Sequence, residues 1–85
     1  MGDLEQLRKQ LDGIDEELCR ALNKRFSVVK KIGEYKKQNQ IAVTDSDRES
    51  TVYEHIGGLF NDERQKNAAK EIYKKIITQS KELQK

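Results

Sequence analysis

Eighty-five residues make one domain at most, taken as residues 1–85, and a core this small is marginal in a monomer, so oligomerisation is expected. Charged residues are 38% of the chain and hydrophobic ones 34%, so the core must come from narrow apolar stripes on amphipathic elements, which favours helices packed on helices. A net charge of +2, from 17 basic and 15 acidic side chains, is too weak a footprint for a nucleic-acid partner.

No apolar run approaches the roughly 20 residues that span a bilayer, and the N-terminus lacks the regions of a secretory signal, so no membrane partner and a cytoplasmic location are expected. Cys19 is the only cysteine, which rules out an internal disulfide or a multi-cysteine zinc site; it reads as a small core residue. His55, the only histidine, has polar neighbours and reads as a surface residue. Neither a metal nor another cofactor is expected.

The chain has no proline, so its punctuation comes from Gly, Asn, Asp and the hydrophobic period. Leu4, Leu7, Leu11, Ile14, Leu18, Leu22, Val29 and Ile32 follow one another at spacings of three, four or seven, the period of a long amphipathic helix. It continues to about Gln38, where Gln-Asn-Gln breaks the pattern; Gly13 and Gly33 weaken its continuity without breaking the period. Ser46-Asp47-Arg48-Glu49 has the form of a capping box, with Ser46 as the cap of a second helix. Val52, Tyr53, Ile56, Leu59 and Phe60 form its buried face. Gly57-Gly58 and Asn61-Asp62 mark its end and a turn, and Ala68, Ala69, Ile72, Tyr73, Ile76 and Leu83 define a third helix. The fold class is all-α. A second helix of about 15 residues spans roughly 22 Å and cannot cover a first helix of about 50 Å, so a two-fold pairing of long helices is the expected remedy.

Several charged or polar side chains fall on these apolar faces. At about 100° per residue, Arg25 lies about 20° from Leu18 and Lys36 lies at essentially the same angle as Leu18, both within the stripe. Glu49 falls about 20° from Ile56, with Asp45 on the same side; Ser80 is about 40° from Ile76, and Gln84 lies at the edge of its stripe. Each has an ordinary explanation: snorkelling for Arg25 and Lys36, capping for Glu49, solvation for Gln84. Together they imply either mutual ion pairs or a charged ligand, because a buried unpaired charge costs several kcal/mol. Arg8 sits at the stripe's edge, 17 residues before Arg25 and roughly 25 Å away along the helix, so one small ligand can meet both only if Arg8 comes from a second chain.

In order and spacing, Arg8, Asp15, Arg25, Lys36, the run Val43-Thr44-Asp45-Ser46-Asp47-Arg48-Glu49, and Ser80 with Gln84 resemble the all-helical chorismate mutases over nearly the whole chain. The resemblance implies an intertwined homodimer of three-helix protomers with two equivalent sites, converting chorismate to prephenate on the route to phenylalanine and tyrosine. It implies that Arg25, with Arg8 of the partner subunit, holds the two carboxylates. Lys36 would contact the ether oxygen and a carboxylate, Gln84 would donate to that oxygen, and Glu49 with the Asp45 segment would take the ring hydroxyl. Arg48 and Ser80 would complete the pocket.

The residues suit that chemistry. A pericyclic rearrangement needs no nucleophile or proton relay, and the chain offers no nucleophile paired with a base. Arginine's planar fork suits carboxylates, and a lysine ammonium or an amide N–H suits a single oxygen. Two alternatives stay open: an isochorismate pyruvate lyase on the same fold, and a non-enzymatic helical dimerisation or regulatory module whose polar residues set helix register.

Overall fold

A computed structural model describes residues 2–85 as three helices, α1 (Gly2–Gln38), α2 (Ser46–Gly58) and α3 (Glu63–Gln84), with no strand among the described residues. α1 alone, at 37 residues, is about 55 Å long and sets the 57 Å length of the chain. Its first turn carries Asp3 and Glu5 and its last turn Lys36 and Lys37, the charge order that complements the helix dipole. It ends at Gln38, and two residues on Gln40 adopts a left-handed φ of 56°. The Ile41 N–H reaches back to the Lys36 carbonyl at 2.8 Å and that of Gln40 to the Lys37 carbonyl at 3.4 Å, closing the last turn.

The caps of the other two helices are both aspartates. Oδ1 of Asp45 accepts from the Arg48 N–H at 3.0 Å, so Asp45, not Ser46, is the N-cap of α2, and Ser46 is its first helical residue. The expected capping box therefore does not form: counted from Asp45, the third helical position is Arg48, and Glu49 lies one residue too far on. Asp62 caps α3, accepting from the N–H groups of Arg64 at 2.8 Å and Gln65 at 3.3 Å. α3 thus starts five residues before Ala68, because a hydrophobic period cannot register a polar first turn.

α3 packs on both α1 and α2, whereas α1 and α2 have no Cα pair within 8 Å of one another. The buried apolar side chains are one from each helix: Val29, Ile56 and Ile77. Ile77 lies outside the expected face of α3. The internal side of that helix runs through Tyr73, Ile77, Ser80 and Gln84, while Ala68, Ile72 and Leu83 are exposed. On α2, Leu59 lies past the helix end and is also exposed. His55 is exposed as expected, but so is Cys19, because the N-terminal half of α1 runs beyond the reach of the other helices. There Leu4, Leu7, Leu11, Ile14 and Leu18 are each 55% to 60% exposed.

A non-glycine residue in the left-handed region costs roughly 1–2 kcal/mol, partly offset by the extra chain entropy that glycine loses on folding. Gln40→Gly is therefore expected to stabilise the fold by about 0.5–1 kcal/mol, seen as a higher urea midpoint with an unchanged slope.

Candidate functional site

Where the C-terminal half of α1 meets α2 and α3, a cavity of about 230 Å³ opens. Seven of the eight residues expected to touch substrate line it: Arg25 and Lys36 from α1, Asp45, Arg48 and Glu49 from the start of α2, and Ser80 and Gln84 from α3. Val29, Ile32, Val52 and Ile77 supply its apolar wall. Arg8 is not brought there; it is exposed on the free half of α1, as is Asp15.

The polar groups hold each other in register. Ser80, only 6% exposed, donates to the Ile76 carbonyl of its own helix at 2.6 Å and accepts a hydrogen bond from the Arg25 guanidinium. That guanidinium also lies 5.8 Å from the centre of the Tyr73 ring, within cation–π range. Arg25 is thus fixed from two sides by α3, with further N–H donors left over.

Lys36 makes a second bridge. Its Nζ donates to the Val43 carbonyl and to Oε1 of Gln84, both at 2.8 Å. An ammonium only donates, so the Gln84 atom facing it must be the carbonyl oxygen, and the amide N–H₂ remains free as a donor. Lys36 itself keeps a third N–H. Gln84, at the last helical residue, is half-buried and tied down rather than solvated.

Gly33 makes this docking possible. A Cβ at that position would stand 2.8 Å from the Gln84 Cα and 2.9 Å from its carbonyl oxygen, so the helices approach there at backbone distance. The sequence marked Gly33 only as a weak point in a helix; its close-approach role depends on a contact 51 residues away and leaves no local signal.

Four cations and two carboxylates line the cavity. Glu49 pairs with Lys81 at 2.9 Å, and one Asp45 oxygen is engaged by the Arg48 N–H. Arg25, Lys36 and Arg48 have no carboxylate partner among the described residues. Of the two readings open at the level of sequence, structural ion pairs therefore account for Glu49 and not for the α1 cations. Lys81 is not among the expected site residues: it lies about 140° from Ile76 on the expected face of α3 and only about 40° from Ile77, whose burial the apolar period does not indicate. Partly desolvated cations that keep free donors form a site for a compact anion.

A family model described as chorismate mutase type II matches residues 7–85. The bifunctional chorismate mutase/prephenate dehydratase of Aquifex aeolicus is 37% identical over 93 residues, which take in all of this chain and 25% of that protein. The chorismate mutase of Methanocaldococcus jannaschii is 31% identical over 83 residues, covering 96% of this chain and 84% of its own length. The chain thus spans a quarter of one curated relative and most of the other.

The Gly33 contact yields a prediction with its own control. Gly33→Ala must push α3 from α1 and is expected to destabilise by about 1–3 kcal/mol in urea unfolding. Gly13→Ala, with nothing within 4 Å of the added carbon, is expected to stabilise by about 0.5–1 kcal/mol.

Proposed function

Because the chain belongs to the chorismate mutase type II family, we propose that it catalyses the rearrangement of chorismate to prephenate, without a cofactor, as a cytoplasmic homodimer with residues 1–85 as the catalytic domain. The observation that carries this reading is the set of three cations facing one cavity with no carboxylate partner among the described residues. Chorismate is a compact dicarboxylate, and its reaction breaks a C–O bond while a C–C bond forms, placing negative charge on the ether oxygen. Arg25 holds one carboxylate. Lys36, with its third N–H, and Gln84, with its free amide N–H₂, converge on the ether oxygen, while Glu49 and the Asp45 segment take the ring hydroxyl and Arg48 and Ser80 close the pocket.

The rate enhancement then has two sources: holding the substrate in its reactive conformer, and presenting donors that bind most strongly when the ether oxygen becomes charged. An acceleration of about a millionfold requires about 8 kcal/mol, which two or three such donors at roughly 3–4 kcal/mol each supply.

Two features of the single chain support the dimer. Burying the exposed remainder of each of the five leucine or isoleucine side chains on the free half of α1 would gain on the order of 1 kcal/mol apiece. An apolar groove lined by Leu18, Leu22, Ile56, Leu59, Ile72 and Ile76 continues that surface. A two-fold partner that covers both would carry its own Arg8 toward the cavity, where it would hold the second carboxylate.

The direct test is chorismate consumption with product identification: prephenate is expected, and pyruvate release or no turnover would overturn the assignment. Lys36→Ala is expected to lower kcat by at least about 100-fold with the fold retained, because it removes a donor used mainly in the transition state. Gln84→Glu replaces that amide with a carboxylate that at neutral pH only accepts hydrogen bonds. Its activity is expected to be low at pH 7.5 and to climb as pH falls into the range where the carboxylate gains a proton, a climb the parent should lack. Sharing of the site is tested by mixing: Arg8→Ala and Arg25→Ala chains, each nearly inactive, are expected to regain about one intact site per mixed dimer, and no recovery after verified subunit exchange would refute it.

A further inference from the structure

Lys81 is the cavity-lining cation that none of these roles employs. It stands on α3, one residue beyond the Ser80 that holds Arg25, and its Nζ lies 2.9 Å from Oε2 of Glu49 on α2. Both side chains are about 30% exposed, at 31% and 27%, so the pair sits in the cavity rim. A rim pair of this kind adds little to stability, since solvent screens it and two long side chains must be ordered.

What it can do is decide where the Glu49 carboxylate goes. The same cavity holds three cations without a carboxylate partner among the described residues, and Arg48 precedes Glu49 directly in the chain. A glutamate swings on three torsions, so an untethered Glu49 would be drawn to those cations and would compete with an incoming anion for them. We propose that Lys81 is a positioning residue: by holding Oε2 it keeps Glu49 off the anion-binding cations and leaves Oε1 presented to the substrate's ring hydroxyl. The proposal rests on the chorismate reading given above for the hydroxyl, but the tether itself is a property of the unliganded chain. A lysine ammonium suits the task because it is a point charge that can hold one oxygen without covering both.

The test begins with Lys81→Met, which keeps the aliphatic stem and removes the charge. KM for chorismate is expected to rise about tenfold while kcat changes less than about threefold, because a competitor for ground-state binding has been released. Lys81→Arg should restore most of the loss. In a Glu49→Gln background, where position 49 no longer carries a charge to compete, Lys81→Met should change kcat/KM by less than about twofold. A parental KM in Lys81→Met, or the full loss persisting in the Glu49→Gln background, would overturn the proposal. Lys81→Gln serves in the same way should the methionine variant fold poorly. If the parent itself failed to convert chorismate, the functional assignment would fall first. The tether would then be judged on a crystal structure of unliganded Lys81→Met, where a Glu49 carboxylate still in its original place refutes it and one moved onto Arg48, Arg25 or Lys36 supports it.

Discussion

Helix α3 is the bridge of this chain: α1 and α2 each pack on it and have no Cα pair within 8 Å of each other. The position of α3 on α1 is set by the backbone-to-backbone approach of Gly33 and Gln84, which only a glycine permits. Three other contacts follow from that approach. The Lys36 ammonium reaches Gln84, the Arg25 guanidinium reaches Ser80, and Lys81 comes within ion-pair distance of Glu49 on α2. A shift of α3 by one carbon's width would loosen all three, so helix packing and the electrostatics of the cavity are a single construction.

That construction turns donor-only side chains to use. Lysine and arginine have no acceptor, so each contact they make with the protein fixes the orientation of an acceptor group: the Gln84 amide, the Val43 carbonyl, the Ser80 hydroxyl. Their remaining N–H groups and the freed Gln84 N–H₂ point to a ligand rich in acceptors. Such a site needs little rearrangement when charge develops on a bound oxygen, which is the condition under which hydrogen-bond donors accelerate a reaction rather than merely bind its substrate.

The free half of α1 is the counterpart of this well-held region. Its five large apolar side chains are more than half exposed among the described residues, and Arg8 lies among them, far from the cavity. Both facts have one origin, a helix more than twice as long as α2. Cys19 belongs to the same stretch: its exposure, against the expectation from composition, records a face that the chain does not cover by itself.

Much of this was legible in the residues. The three helices, the extent of α1 to Gln38, the presence of cations within its stripe and the convergence of Arg25, Lys36 and Glu49 on apolar faces follow from the 3.6-residue period, which is a local property. The cap of α2 is Asp45 and not Ser46, one residue from its expected place, because several polar residues in a row can each cap and only the backbone's turn selects one. The site partners were harder to read. A hydrophobic period gives the direction of a stripe only coarsely: on α3 the internal side is turned roughly 70° from the apolar face, which exposes Ile72 and buries Ile77, about 140° away from it. Which edge of a stripe turns inward is decided by the helix that docks against it. For that reason the sequence by itself determined the helices and their charged faces, while the tertiary structure alone decided that Gly33 admits Gln84, that Ser80 meets Arg25, and that Lys81 meets Glu49 across 32 residues of chain.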